Sequence, residues 1–485
     1  MAPPLVVLWH RAALATLRGK ARVAVWYASL LVAAAAALAL ASAPPLDSWF
    51  SCGGERICAH SRHETMAHVF LLYLLLRTAF LLSLPLPSDA DARAWVNDPR
   101  FTAQVGVVIP CHRSADEISL TLRAVVRHFP AENVVVVDNA DAAEPPDDTA
   151  ARVAAVDARV SYVYEGRGHK TNALLVGLRH LPPRCKYVLH VDDDTVLPEH
   201  FVVDPRKFAE PAVAAVAYGI EMGHSNAVQQ AVDFELKHLS TMRQLQAYWA
   251  TVWFCHGIVG LWRRERFATL LAEHPFLPFG EDGWLGMLNL LHNDRMEMEM
   301  RSFVRSYAPP TLLPTLRQRV QGYGASSIWK QRAMRWFVNA PRRIIWRLLL
   351  VVYYDCGQPH RKIGFVVFSI THLTRIWLAM IHLPLELFYM FQESEFGRFG
   401  MWFTVFYLVA VLESAIVNWV VWRNLPSLQV SWQTVLRQPL YYQFLFICTF
   451  VGHWRCALYY VPFFPMNYHP PFPEGLAKAK HCDLY

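Results

Sequence analysis

Charge is scarce in this sequence. Charged residues fill 18% of its 485 positions and hydrophobic ones 54%, too apolar a balance for an ordinary soluble protein. The nine cysteines show no metal-ligand spacing, which excludes a zinc-stapled fold. There is no internal repeat and no long low-complexity tract, so the solenoid architectures are excluded too. The net charge of +7 is modest for this length. No nucleic-acid motif accompanies it, so no nucleic-acid partner is expected.

What is present is an apolar excess gathered at the two ends. Residues 23–42 and 66–86 are long enough to span a bilayer, and 363–391, 401–422 and 440–464 are further candidates. The first run is long and lacks a small-residue cleavage site, so it reads as an anchor and not a signal peptide. His10, Arg11, Arg18, Lys20 and Arg22 precede it, which puts the N-terminus in the cytosol by the positive-inside rule. Loops 43–65 and 392–400 then lie outside, and loop 423–438 lies inside. Cys52 and Cys58 in the outer loop can pair, whereas Cys111, Cys185 and Cys255 stay reduced. Arginines crowd residues 317–347, a basic stripe suited to anionic lipid or an anionic substrate. The expected division is 1–95 with two spans, 96–320 as a cytosolic domain, 321–355 as amphipathic interface helices and 356–485 as a C-terminal membrane region. The lipid bilayer is thus an expected partner of a multi-pass protein of the plasma membrane or Golgi.

The middle of the chain alternates apolar strands with helical stretches. Strands are expected at 105–110, 133–139, 160–166 and 186–195, and helices at 114–129, 148–158 and 170–181. That order implies an α/β domain with a doubly wound, mostly parallel sheet. Ligands bind such sheets beyond the carboxyl ends of the strands. Asp138 ends one expected strand, and Asp192, Asp193 and Asp194 end another. Aspartate also serves turns and helix caps, but a cap needs one carboxylate. Two carboxylates about 4 Å apart repel by roughly 4 kcal/mol at intermediate dielectric. Oxygen ligands so clustered suit Mg²⁺ or Mn²⁺ held together with substrate phosphates. Strand alternation would send Asp192 and Asp194 to one side and Asp193 to the other, making Asp193 the most tolerant of substitution.

The segments "VVIPCHRSADEI", "VVVVDN", "GRGHKTNAL" and "HVDDDT" are followed in order by "CHGIVGLWRRE" (255–265), "FGEDGWLG" (279–286) and "KQRAMRW" (330–336). Together they resemble family 2 glycosyltransferases with the GT-A fold. Among these they are similar to the membrane-embedded polysaccharide synthases of cellulose, chitin and hyaluronan, with wording nearest the fungal-type branch and hence cell-wall polymers. The resemblance covers about residues 105–340 by motif. It implies that Asp138 binds the base or ribose side of a nucleotide sugar, that Lys170 lies near the diphosphate, and that Asp192 and Asp194 form the D-x-D pair. Asp194 would be the direct metal ligand, with Asp192 beside it or on the donor's sugar. His256 and Gly257 would border the acceptor, and Asp282, next to Glu281, would be the catalytic base. Arg335 and Trp336 would serve the donor, with Trp336 also facing the acceptor. The last motif departs from the pattern: Gln331 is one residue early, and Arg332 stands where a glutamine is usual. Either can reach the site, since positions i+3 and i+4 share a helix face. His112 either stacks on the base or belongs to the core.

One carboxylate base suffices for in-line displacement with inversion, while retention needs a second positioned nucleophile. The expected reaction is therefore inverting transfer from a nucleotide sugar, a UDP-sugar in the first instance, to a growing β-linked polysaccharide. A glycolipid-forming, non-processive enzyme and an inactive transport or scaffold subunit are the alternatives. In 363–391, His372, Arg375, His382 and Glu386 fall within an arc of about 80° on a helix. Such ionisable groups mark either interhelical polar contacts or a wet channel for the polymer.

Overall fold

The computed structural model describes residues 78–140, 146–166, 168–249, 251–274, 281–292, 294–319 and 396–455. The chain divides into two compact units, residues 1–83 with 401–409 and residues 84–400 with 410–485. In the first, the described residues are helical at 78–82 and 401–409. The second holds the α/β domain.

That domain runs β1 (Val105–Cys111), α1 (Ile118–Val126), β2 (Val134–Asp138), α2 (Thr149–Val156), β3 (Ser161–Tyr164), α3 (Lys170–His180), β4 (Tyr187–Val191), β5 (Val213–Gly223), α4 (Ala227–Trp249), β6 (Val259–Arg263), α5 (Arg264–Glu273), α6 (Glu281–Leu291) and β7 (Arg295–Tyr307). The sheet order is β3-β2-β1-β4-β6-β5-β7. The first four strands are parallel, β6 is antiparallel to both its neighbours, and β5 pairs with β7 in parallel. The sheet is thus mixed, not mostly parallel throughout.

β1 and β2 are buried along their whole length, as strands covered on both faces must be. The period of two sorts their side chains into two cores. Val107, Ile109, Val134, Val136 and Leu189 join one, while Val108, Val135, Val137 and Val188 join the other. Chain order reverses between β1 and β4, and Asp138 and Asp192 lie on either side of that point at the strands' carboxyl ends. This is the crevice where open α/β sheets bind ligands.

Strand β4 stops at Val191, short of the aspartates. The Asp192 amide donates to the Ile258 carbonyl at 2.9 Å, and the Thr195 amide donates back to the Asp192 carbonyl at 3.1 Å. Asp192–Asp194 therefore occupy a turn, and strand alternation does not govern where they point.

At the C-terminal end, α7 (Phe396–Ile416) runs into a π-helical turn (Val417–Val421), and α8 (Trp432–Arg455) follows. Within the expected C-terminal membrane region 356–485, α8 packs on α4 and adds Tyr441 and Leu445 to the first core. The reason is a polar match. Tyr441 donates to Glu235 at 3.0 Å, Gln438 to the Ala231 carbonyl at 3.3 Å, and Trp422 to Thr241 at 2.9 Å. Among the described residues no helix is long and apolar enough to cross a membrane. The expected spans 23–42 and 363–391, and all of 66–86 before residue 78, lie outside the described residues.

Candidate active site

The nucleotide half of the crevice is built on Asp138. It is fully buried at the end of β2, yet its carboxylate is well supplied with donors. Oδ1 accepts the amides of Arg113 at 3.3 Å and Ala140 at 3.1 Å, and Oδ2 accepts the Tyr162 hydroxyl at 3.0 Å. Arg113 reaches that position with φ of 52°, a left-handed conformation costing a non-glycine residue about 1 kcal/mol. His112 beside it is exposed, so it is not a core histidine.

The same turn captures Asp193. The Ser114 hydroxyl donates to Asp193 Oδ2, and the Thr121 hydroxyl donates to the Asp193 carbonyl at 2.6 Å. Burial raises the Asp193 carboxyl above its usual range. Asp193, expected to be the most tolerant of substitution, therefore has a side-chain partner in Ser114, while its backbone carbonyl is held by α1. Asp194 points elsewhere, accepting the hydroxyls of Ser306 at 3.0 Å and Thr195 at 3.3 Å.

Asp192 meets Lys170. The Lys170 ammonium lies 2.5 Å from Asp192 Oδ1 and 3.3 Å from Glu281 Oε1, and it donates to the Gly257 carbonyl at 2.9 Å. Lys170 opens α3, where the helix dipole disfavours a cation; the two carboxylates offset that. Lys170 thus makes two ion pairs and one hydrogen bond. Lys170, expected near the donor's diphosphate, pairs here with two carboxylates. Burial opposes its charge, and Asp192 and Glu281 more than reverse this, holding it above the ordinary lysine range. For Asp192 burial outweighs the lysine and pushes the carboxyl up to about 7. For Glu281 burial is outweighed by Lys170, and the carboxyl falls below its ordinary range.

Asp282 follows Glu281 in the first turn of α6. Its Oδ2 accepts the Gly257 amide at 3.1 Å and Oδ1 the Gly283 amide at 2.7 Å. Gly257 thus joins Lys170 through its carbonyl and Asp282 through its amide. Burial, then the charge of Glu281, pushes Asp282 up to about 6. A carboxylate poised there suits a general base near neutral pH. Burial holds the neighbouring His256 well below its ordinary range, so it is neutral.

Beneath this cluster lies a packing feature that the sequence did not announce. His190 of β4 is buried, accepts Trp262 Nε1 at 3.1 Å and stacks on Phe267; burial lowers it to about 3. A methyl group at Gly260 would lie 2.7 Å from His190 Cε1 and 3.0 Å from Cys255 Cβ. Gly260→Ala should cost about 1–3 kcal/mol by overpacking, read as a lower melting temperature. An unchanged melting temperature would show that the imidazole can step aside.

The structure therefore brings Asp192, Lys170, Gly257, Glu281 and Asp282 together, and links Asp138 to Asp193 through the 112–114 turn. Ser114, Tyr162 and Ser306 were missed; hydroxyls in ordinary strands and turns carry no spacing signal. Gln331, Arg332, Arg335, Trp336, His372, Arg375, His382 and Glu386 lie outside the described residues. For a divalent ion the fit rests on Asp194, since Asp192 is committed to Lys170. No group of three ligand side chains gathers among the described residues. Such a donor set suits Mg²⁺ or Mn²⁺, which one or two carboxylates hold when phosphates and water complete the shell.

Residues 102–325 match the family model described as glycosyltransferase like family 2. No curated protein matches the chain. Among solved structures, a mannosyltransferase from Pyrobaculum calidifontis in complex with GDP-Man and Mn²⁺ is 16% identical, covering 83% of this chain and 97% of its own, with a TM-score of 0.46. TarS of S. aureus is 14% identical, covering 73% and 55%, with a TM-score of 0.34. Glucosyl-3-phosphoglycerate synthase from Mycobacterium tuberculosis is 15% identical, covering 48% and 83%, with a TM-score of 0.32.

Proposed function

We propose, for a chain whose residues 102–325 are a glycosyltransferase family 2 domain, that it is an inverting enzyme extending a β-linked polysaccharide from a nucleotide sugar and exporting the product through its own membrane region. The observation that carries the inverting assignment is the unequal fate of two adjacent carboxylates. Glu281 is neutralised by Lys170, so it is a poor nucleophile. Asp282 makes only amide contacts and is left to take a proton. One base, with no second uncommitted carboxylate beside it among the described residues, fits inversion, since retention needs a positioned nucleophile.

In the proposed cycle Asp138 and the 112–114 turn hold the nucleoside. A divalent ion, when bound beside Asp194, supplies Lewis acidity to the departing diphosphate. Asp282 accepts the proton of the acceptor hydroxyl, and the Gly257 amide keeps its carboxylate aimed. Arg335, a permanently charged planar fork, would add to the diphosphate side.

Two features support a membrane setting. Trp432, Leu436, Leu440, Ile447 and Val451 of α8 are all exposed, and at 3.6 residues per turn they share an arc of about 100°. The opposite, buried face holds Thr434, Gln438 and Thr449. That exposed arc is mostly apolar, interrupted by Gln433 and Gln443, and a mostly apolar exposed face suits an apolar environment outside. In addition, Ser427 donates to Asp89 at 2.8 Å and the Asp89 amide to the Asn424 carbonyl at 3.1 Å. Those contacts fit loop 423–438 lying on the catalytic domain's side.

The test is a screen of UDP-glucose, UDP-N-acetylglucosamine, UDP-glucuronate and GDP-mannose with Mg²⁺ or Mn²⁺. One donor should be consumed, with polymer as product and chelation stopping the reaction. Consumption of none would overturn the transferase reading, and a single-sugar glycolipid as sole product would overturn the polymer.

A further inference from the structure

Arg243 sits in the third quarter of α4 with 2% of its surface exposed. Its guanidinium stacks on the Phe254 ring at 4.7 Å, and its Nη2 has no hydrogen-bond partner. An unpaired cation in such a place is costly, so its charge needs a use. Burial pulls it down only to about 10, so it stays charged at neutral pH.

The geometry above Arg243 leads to Asp282. Gln246, one turn further along α4, accepts the Trp253 amide at 3.4 Å. The loop then crosses α6 at Gly286, where a Cβ would lie 2.3 Å from the Trp253 carbonyl and 2.5 Å from Phe254 Cβ. It ends on Gly257, whose amide binds Asp282. Phe254 is therefore the layer between α4 and the first turns of α6.

We infer that Arg243 is a positioning residue for the transfer reaction, its buried guanidinium holding the Asp282 carboxylate ionised from beneath the 253–257 loop. This rests on Asp282 being the base. The other groups around Asp282 do not take this role. Lys170 of α3 contributes less than Arg243 and is already ion-paired to Asp192 and Glu281. Glu281 of α6 and Asp192 after β4 bear the wrong charge. His190 and His256 are neutral, and burial pushes the Cys255 thiol up to about 12. Arg243 is one of the two cations that pull Asp282 down.

The experiment replaces Arg243 in the full chain. An opposite charge nearby lowers a carboxyl by about 1–3 units. Arg243→Met should therefore move the acid limb of kcat/KM up by about one unit from the wild-type position near 6. The rate falls about fivefold at pH 6 and recovers at high pH. Arg243→Lys should keep the limb in place. A loss equal at every pH, or a limb that does not move, overturns the inference. Difference infrared spectra against Asp282→Asn read the same carboxyl without turnover: Arg243→Met should raise its midpoint, and an unmoved midpoint rejects the role of Arg243 whatever the reaction. If the wild type consumes no nucleotide sugar, the transferase reading fails while the infrared measurement still decides on Arg243. Arg243→Gln carries both measurements if Arg243→Met does not fold.

Discussion

Asp282→Asn is expected to lower turnover by about 10²–10⁴-fold, the usual contribution of a positioned general base, while donor affinity stays nearly unchanged. The amide keeps the shape of the side chain and can still accept the Gly257 amide hydrogen bond through its oxygen. It cannot take the acceptor's proton. In the proposed cycle donor binding falls to Asp138 and the Asp194 region, whose hydrogen bonds do not involve Asp282. The wild-type pH profile carries the same signature. With the Asp282 carboxyl pushed up to about 6, activity should fall as pH drops through that value, because protonation removes the base. The residual rate of Asp282→Asn should lack this limb. Turnover above a tenth of the wild-type rate would place the base elsewhere.

Lys170→Met is expected to have the largest effect on stability. It leaves Asp192, Glu281 and the Gly257 carbonyl without their shared cation. Breaking a buried ion pair costs about 3–5 kcal/mol. These side chains retain 20–29% exposure, so about 2–4 kcal/mol is expected after allowing for solvent screening. The pH dependence has a definite sign. An unpaired buried carboxylate has a folded pKa above its unfolded value, so it destabilises when ionised and not when protonated. The deficit against wild type should be greatest above pH 7, where Asp192 is already near its midpoint with the lysine present, and should narrow towards pH 5. Adding Glu281→Gln should recover part of the loss. Denaturation of the two variants across pH measures this. A Lys170→Met chain as stable as wild type at pH 8 would mean that the cluster is already solvated.

The acidic site was legible in outline. Apolar runs ending in aspartate located β2 and β4, and the motif order named Asp282. The helix start at Lys170 also agrees with the helix expected over 170–181. What failed was the treatment of "DDDT" as a continued strand. A backbone bond from Asp192 to Ile258, 66 residues away by the numbering, ends the strand early, and no local pattern contains it. Asp193 then falls to Ser114 and Lys170 to a trio of acceptors, each drawn from a different part of the chain.

α8 makes the same point from the other direction. Its apolar count contributed to an expected span over 440–464, while Gln438 and Tyr441 bond to Ala231 and Glu235 of α4. Composition reports how apolar a helix is but not which neighbour meets its polar stripe.

By itself, the sequence determined which segments become buried strands, where carboxylates stand along them and the order of the glycosyltransferase motifs, because these depend on side-chain period and local turn chemistry. Only the tertiary structure decided which carboxylate pairs with Lys170, which one accepts the Ser306 hydroxyl, and that a buried Arg243 lies under the loop that reaches Asp282. Those choices depend on distances between strands and helices far apart in the chain, and electrostatic energies follow distance and burial, not sequence separation.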